Sequence, residues 1–253
     1  CGETVPPRCP KCMPFPPRTL TLPTIFPPQV RIKYEIFESK NYPLNVTSAI
    51  ITSTDRTFVS YGGQENYSDE MLQKIYNSLK DAKVVGMQEN ILPVYKQLKK
   101  DGTILVLDTG YSEDMSVEKY KDLIEIADYY TPNIDETEKL TGTREPKKAL
   151  DFLRNYFEKP IVKLGKYGCA GYDGDYFTVD NIDEFKCVDA TGAGDAFLAG
   201  FIYGLYNDFD FRKCILAGNI TGGKCVTGVG CLTEYITKEE MKEYLEKYDY
   251  LIK

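Results

Sequence analysis

Short apolar runs alternate with longer stretches of helical periodicity along most of this chain. The run Ile104–Leu107 is apolar without polar alternation, which is typical of a parallel strand covered on both faces. Between such runs, apolar residues recur three or four positions apart, as in helices that pack one face against a sheet. Strands and helices that alternate in this way predict right-handed βαβ units around a mostly parallel sheet.

The pattern locates individual elements between residue 45 and residue 253. Strands are predicted over 46–52, 56–61, 83–87, 103–108, 129–131, 161–164, 169–172, 176–179 and 185–188. Helices are predicted over 68–80, 93–102, 116–127, 193–206, 211–226 and 238–246, and two more begin at Asp135 and Pro146. The first two strands have the pattern of a hairpin or a sheet edge, and the last three are antiparallel in character.

The first 44 residues differ in composition from the rest of the chain. Nine of the 14 prolines lie before residue 30, and the segment has almost no periodic apolar pattern. We therefore predict an extended or poorly ordered segment over 1–44 and a folded domain over 45–253. A polyproline arm that binds a protein is the functional interpretation of the segment. The alternative is an arm without a function.

A turn rich in small residues precedes the helix predicted over 193–206. Gly192, Ala193 and Gly194 allow a close approach of the backbone to a ligand, and the first-turn amides of the helix favour an anion such as phosphate. A carboxylate at Asp195 is electrostatically costly beside a phosphate, unless it accepts a proton from an attacking hydroxyl. The alternative is that Asp195 only caps the helix.

The block Asp189-Ala190-Thr191-Gly192-Ala193-Gly194-Asp195 resembles the C-terminal signature of the ribokinase (PfkB) family of carbohydrate kinases. The resemblance implies a ribokinase-like three-layer α/β/α fold with a mostly parallel central sheet. It implies ATP-dependent phosphotransfer to a hydroxyl of a sugar or nucleoside, with Mg²⁺ as the metal ion and Asp195 as the catalytic base. The amides of Gly192, Ala193 and Gly194 would form the anion hole.

Two oxygen-bearing side chains follow the strand predicted over 129–131. Asn133 and Glu136 match the Asn-Xaa-Xaa-Glu pattern of the family, which implies that they organise Mg²⁺ through water. The alternative is a motif that begins a helix, in which Asp135 and Glu136 complement the helix dipole. In the strand predicted over 103–108, Asp108 is expected at the carboxyl end, where parallel sheets place ligands.

A third group of residues is assigned to the nucleotide by the same resemblance. Lys163 and Gly165, with Gly168, look like the strand and turn that face the nucleotide, and Lys163 would add positive charge. An ordinary β-turn is the alternative for this stretch. Asn219 matches a family position beside the adenine, and its alternative is an amide on the helix surface.

Some family members bind K⁺ next to the anion hole. Asp189 and Thr191 match the Asp-Xaa-Thr pair of those members, and the loop 227–231 would supply the remaining oxygens. The resemblance therefore implies a possible K⁺ site beside the Mg²⁺ and ATP sites.

The family segments that bind the sugar and form the lid have no counterpart that we recognise in 1–44. Residues 62–66 resemble the Gly-Gly signature of the family only superficially, because their flanks match a later segment. We therefore expect a reduced or incomplete lid. The expected activity is ATP binding with poor phosphorylation of sugars, and the alternative function is a catalytically impaired nucleotide-binding protein. The lid strand of family members also implies a possible homodimer.

Composition limits the classes of partner. Of the 253 residues, 42% are hydrophobic and 27% are charged, which suffices for one α/β domain with a substantial core. A net charge of −7 without a Lys/Arg cluster argues against nucleic acid and an anionic membrane surface as partners. No apolar run approaches the roughly 20 residues of a transmembrane helix, and no signal pattern opens the chain, which predicts a cytoplasmic protein.

The cysteines do not form a convincing metal site. The five after residue 160 lie in core-like segments and are expected to be buried thiols: Cys169, Cys187, Cys214, Cys225 and Cys231. Cys9-Pro10-Lys11-Cys12 has metal or redox spacing, but no second pair and no histidine completes four ligands. A metal-binding adaptor is therefore the weakest alternative. The absence of histidine also argues against Ser-His and Cys-His catalysis.

Overall fold

The computed structural model describes residues 46–51, 56–61 and 67–253. The proline-rich segment 1–44, the Cys9–Cys12 pair and the Gly-Gly stretch 62–66 lie outside the described residues. Strands β1 (Val46–Ile51) and β2 (Arg56–Tyr61) pair antiparallel in register from Val46 with Tyr61 to Ile51 with Arg56. They form a two-stranded sheet of their own, which agrees with the predicted hairpin.

The remaining described strands form two three-stranded sheets that meet side by side. In one, β3 (Val84–Met87), β4 (Ile104–Leu107) and β5 (Tyr129–Tyr130) are parallel in that order. In the other, β6 (Ile161–Lys163), β7 (Cys169–Tyr172) and β8 (Tyr176–Val179) are antiparallel. A parallel bridge between Asn133 and Lys163 joins the two, and the Lys163 amide donates to Pro132 O at 2.8 Å.

Eight α-helices are described around these strands. They are α1 (Asp69–Leu79), α2 (Leu92–Lys100), α3 (Val117–Ile124), α4 (Ile134–Thr141), α5 (Pro146–Leu153), α6 (Ala193–Tyr206), α7 (Phe211–Cys225) and α8 (Lys238–Tyr248). Each lies within a few residues of its predicted position. Ser68 and Ser116 accept hydrogen bonds from first-turn amides and begin α1 and α3, because these side chains satisfy donors that lack a partner within the helix.

Alternate residues of the parallel strands point into two separate hydrophobic cores. Val85, Met87, Leu105 and Leu107 pack with α1 to α5 on one face. Val84, Ile104 and Val106 pack with α6, α7 and α8 on the other face. The apolar strand runs therefore reflect a sheet covered on both sides, and the result is the predicted three-layer α/β/α arrangement.

One predicted strand is wrong. Residues 185–188 form no strand, although their composition is apolar. Phe185 instead lies against Gly223 of α7 and makes an edge contact with the ring of Tyr244 in α8. The amide of Val188 donates to Val226 O at 2.7 Å. Because the Phe185 side chain packs on α7 and α8, this segment lies along α7 and does not extend a sheet.

The expectation of five buried thiols is correct for three cysteines. Cys169, Cys214 and Cys225 are buried, and burial raises the pKa of the Cys169 thiol to about 12. Cys187 and Cys231 are exposed, because both lie in loops beside α7 rather than in strands or helices.

Helices α6 and α7 approach closely through glycine. A Cβ placed on Gly200 of α6 would lie 2.2 Å from Thr221 Oγ1 and 2.4 Å from Ala217 O, both in α7. One of these atoms belongs to the backbone and cannot rotate away. The close approach therefore requires glycine at position 200, and it fixes the position of α6 relative to the core.

We expect Gly200→Ala to lower the free energy of unfolding by about 1–3 kcal/mol, because overpacking forces the two helix backbones apart. Gly86→Ala is the matched control, since its Cβ would meet only the flexible ends of Ile202 and Leu198 at 3.4 and 3.7 Å. Its expected cost is below about 1 kcal/mol. Urea denaturation measures both variants, and equal losses would contradict the close approach of α6 and α7.

Candidate active site

The first turn of α6 begins without a side-chain cap. Gly192 occupies the N-cap position with φ 80° and ψ 0°, and no side chain accepts a hydrogen bond there. A Cβ at Gly192 would lie 2.2 Å from Cys231 Cβ, so glycine is required both for the backbone conformation and for the close approach of the loop. The helix therefore begins with donors that no capping side chain satisfies, as an anion site requires.

The predicted base lies in this first turn. Asp195 is exposed, as is Gly194 beside it, so both are accessible to a bound molecule. The Ala193 amide donates to Ala190 O at 3.3 Å, a long turn bond that already uses one of the three predicted anion-hole amides. The roles of Gly192, Ala193, Gly194 and Asp195 stay predictions.

A carboxylate pins the loop before α6 to the loop after α7. Asp189 Oδ1 accepts from the amide and the hydroxyl of Thr191, at 2.9 and 2.7 Å. Asp189 Oδ2 accepts from the amide of Gly230 at 2.9 Å. The two residues of the predicted K⁺ site, Asp189 and Thr191, are therefore hydrogen-bonded to each other, and Asp189 is also bonded to the 227–231 loop. A role in K⁺ binding stays a prediction.

Lys163 extends from the end of β6 toward the same helix terminus. Its Nζ lies 3.1 Å from Asp108 Oδ2, and it lies 5.7 Å from the ring centroid of Phe197 in α6. A Cβ on Gly194 would lie 3.6 Å from this Nζ. The structure thus brings the predicted nucleotide-binding lysine to the predicted anion hole.

The pairing of Asp108 with Lys163 was not predicted from the sequence. The apolar run of β4 places Asp108 correctly at the carboxyl end of that strand. Its partner, however, lies 55 positions away along the chain. The hydroxyl of Thr131, after β5, lies 3.3 Å from both Asp108 Oδ2 and Leu107 O, and this contact was also missed. Only the order of the strands brings these three residues together.

Asn133 and Glu136 form a reciprocal capping box at the start of α4. Asn133 Oδ1 accepts from the Glu136 amide at 2.9 Å, and the two Glu136 oxygens accept from the Asn133 amide and Nδ2 at 2.8 and 2.7 Å. Burial raises the pKa of the Glu136 carboxyl, while the charge of Lys163 opposes that shift. The alternative interpretation, a helix start, is therefore realised, and the metal role stays a prediction.

The two other predicted nucleotide contacts lie in the turn after β6 and at Asn219 of α7. Gly165 and Gly168 both have positive φ, and a Cβ on Gly168 would collide with Val179 O at 2.1 Å, whereas nothing lies within 4 Å of one on Gly165. Asn219 donates to Val179 O at 3.0 Å and accepts from Cys169 Sγ at 3.1 Å. It is half-buried and joins α7 to the sheet, and its place beside the adenine stays a prediction.

Two searches of the described residues have negative results. In 67–253, no group of three or more acidic, histidine or cysteine side chains could hold a metal ion by itself. No helix there is long and apolar enough to cross a membrane.

The model of the pfkB family carbohydrate kinases matches residues 30–238, which is more than half of the chain. This chain belongs to that family. The match begins before the predicted domain start at residue 45, so 30–44 also falls within the pfkB region.

The relatives of this pfkB chain include kinases of different small molecules. The 2-dehydro-3-deoxygluconokinase of Bacillus subtilis (strain 168) is 30% identical over 137 residues, which are 51% of this chain and 40% of that protein. The nucleoside kinase of Methanocaldococcus jannaschii is 32% identical over 143 residues, which are 54% and 44% of the two chains. This pfkB chain spans about half the length of the curated relatives it matches.

The structure of Arabidopsis thaliana ribokinase in complex with ribose and ATP is similar with a TM-score of 0.68 at 24% identity. The likeness covers 81% of this pfkB chain and 70% of the ribokinase. It confirms the predicted ribokinase-like fold.

We expect Asp189→Asn to loosen the loop after α7. Because Thr191 offers two donors, the amide oxygen is expected to face Thr191, which leaves the NH₂ group against the Gly230 amide; hydrogen bonds to a charged acceptor contribute about 1.5–3 kcal/mol. Hydrogen exchange of the Gly230 amide should therefore accelerate at least about tenfold.

Asp183→Asn, at an exposed position, is the matched control and should leave this exchange unchanged. Unchanged exchange in Asp189→Asn itself would contradict the tether.

Proposed function

We propose that this chain transfers the γ-phosphoryl group of ATP to a hydroxyl of a sugar, a sugar acid or a nucleoside. The observation that carries the proposal is the start of α6, where an uncapped helix terminus, the Lys163 ammonium and the Asp195 carboxylate lie together. Positive groups suit a phosphoryl group, and an exposed carboxylate suits a proton acceptor beside it. The named activities of the relatives support the class of acceptor.

In this proposal, the acceptor oxygen attacks the γ-phosphorus in line. The O–H proton passes to Asp195, the new P–O bond forms, and the bond from the γ-phosphorus to the β–γ bridging oxygen breaks, which leaves ADP. The first-turn amides of α6 and Lys163 Nζ stabilise the negative charge on the phosphoryl oxygens. Since Asp195 is exposed, an acceptor can reach it directly.

The residues near the site fit a magnesium ion held through water. Glu136 supplies a buried carboxylate, but its two oxygens already accept hydrogen bonds from Asn133, which disfavours direct coordination. Oxygens of Asn133 and Glu136 can instead orient metal-bound waters, as Mg²⁺ retains several of them. When bound, Mg²⁺ supplies charge neutralisation to the phosphates of ATP.

The remaining proposed contacts with the nucleotide involve the turn after β6 and helix α7. Gly165 has open space above its Cα and admits a close approach of the nucleotide, whereas Gly168 serves the packing of the turn. Asn219 holds the adjacent strand ends and thereby shapes the adenine side of the site. A K⁺ ion beside Asp189 and Thr191, and a cytoplasmic location, complete the proposal.

The direct test is ADP formation from ATP and Mg²⁺ by the purified chain, screened over sugars, sugar acids and nucleosides. If the chain is the proposed kinase, calorimetry detects ATP binding, and ADP forms faster when the acceptor is present. ATP binding with slow hydrolysis and no response to any acceptor supports the alternative of an impaired nucleotide-binding protein. No binding of ATP at all would overturn both functions.

We expect Asp195→Asn to slow phosphoryl transfer by about 10²–10⁴-fold, because the amide keeps the shape of the side chain but accepts no proton. ATP affinity should stay within about threefold. Steady-state rates and calorimetry measure the two quantities, with Asp122→Asn on the exposed face of α3 as a control for lost charge. Full turnover of Asp195→Asn would remove this residue from the mechanism.

We expect Glu136→Gln to raise the Mg²⁺ concentration needed for half-maximal turnover or ATP binding by about tenfold, because the lost charge acts on metal-bound water. Glu240→Gln is a closely matched control: Glu240 completes a second capping box, with Thr237 at the start of α8. Both variants alter a helix cap, whereas only Glu136 lies at the site. Superimposable Mg²⁺ titrations of Glu136→Gln and the unaltered chain would restrict Glu136 to capping.

A further inference from the structure

A buried ion pair lies between the strand ends and α6. The side chains of Lys163 and Asp108 are 11% and 17% exposed, which makes this the most buried ion pair in the described part of the chain. Removing two charges from water costs several kcal/mol per ion unless further bonds compensate it. The Thr131 hydroxyl can supply one such bond, although its single hydrogen faces two acceptors at 3.3 Å, Asp108 Oδ2 and Leu107 O. Asp108 and Thr131 directly follow β4 and β5, and Lys163 is the last residue of β6. Neighbouring strands therefore position all three residues.

The lysine of this pair lies against a positive helix end. Its Nζ would be 3.6 Å from a Cβ on Gly194, in the first turn of α6. The unpaired amides of a helix N-terminus carry about half of a positive charge, so an ammonium beside them is repelled. Asp108 offsets this repulsion by holding Nζ at 3.1 Å. A second anion on the other side of Nζ, such as a phosphoryl group, would be attracted both by the Lys163 ammonium and by the N-terminus of α6.

The geometry points to Asp108 as the positioning residue for Lys163, whose ammonium contacts the transferred phosphoryl group. This inference rests on the proposed kinase function and adds a residue and a role to it. Asp108 does not touch the phosphoryl group; it acts through Lys163. The rival role for this carboxylate, a direct contact with Mg²⁺, has a different experimental signature.

The first experiment measures the acylation rate of individual lysine amines by mass spectrometry. In the unaltered chain, ATP with Mg²⁺ should protect Lys163, inorganic tripolyphosphate should do so too, and adenosine should not. Asp108→Asn should raise the rate at Lys163 at least about tenfold, because a held and buried ammonium becomes free to move.

A second lysine serves as the matched control in the same samples. Lys99 pairs with Asp128 at 2.5 Å, at the amino end of β4 and away from the site. Asp128→Asn should raise the acylation rate at Lys99 and leave Lys163 unchanged. If Asp108→Asn leaves Lys163 unchanged, or if adenosine protects Lys163 as well as ATP does, the inference is overturned.

The second experiment asks whether Asp108 acts through the lysine. Asp108→Asn should lower kcat at least about tenfold while ATP affinity changes less than about threefold, because the loosened lysine is offset by the loss of a negative charge near the phosphates. Lys163→Met should weaken ATP binding at least about tenfold. In the Lys163→Met background, adding Asp108→Asn should cause no further loss of kcat, and ATP affinity should stay the same or rise, because a negative charge near the phosphates is lost.

These outcomes separate the inference from its rival and from the proposed function. An equal loss from Asp108→Asn in both backgrounds, accompanied by a shifted Mg²⁺ titration, would assign Asp108 to the metal and overturn the positioning role. If Asp108→Asn does not fold, the comparison of Lys163→Met with the double variant still decides: a further loss of kcat on adding Asp108→Asn would show a role of Asp108 that does not pass through Lys163 and would overturn the positioning role. Absence of ATP binding to the unaltered chain would defeat the proposed function, whereas ATP binding without protection of Lys163 defeats the inference alone.

Discussion

The site depends on where the first turn of α6 is held. Its donors can bind an anion only if no side chain caps them and if the strand ends lie close by. The close approach of Gly200 to the α7 backbone holds the helix from one side. Gly192, packed against Cys231, brings the 227–231 loop to the start of the helix on the other side. Glycine at these two positions therefore allows the close contacts that fix where the helix lies.

Charge at the site is arranged in two separate networks. Asp189 uses one oxygen to hold its own loop at Thr191 and the other to join the loop after α7 at Gly230, so both oxygens hold the backbone around the helix start. Asp108 and Lys163 form the second network, which is buried and lies at the strand ends. Asp195 lies outside both networks and is exposed. A carboxylate without a role in holding the backbone is the one that remains suited to accept a proton.

The sequence was informative where a feature is local. Apolar runs and capping residues such as Ser68 and Ser116 predicted the elements, because both patterns act within a few residues. The strand predicted over 185–188 failed, because its apolar side chain packs on α7 and α8, which no local pattern reveals. The Asp108–Lys163 pair and the bonds of Asn219 were missed for the same reason, since strand order alone brings such residues together.

In the proposed function, the start of α6 binds the phosphates of ATP. Nuclear magnetic resonance of the backbone amides tests this binding directly, by titrating the ¹⁵N-labelled chain with ATP and Mg²⁺ and, separately, with adenosine. We expect ATP to shift the amide signals of Gly192, Ala193 and Gly194 strongly and adenosine to leave them nearly unchanged. Binding of ATP with these three signals unmoved would contradict it.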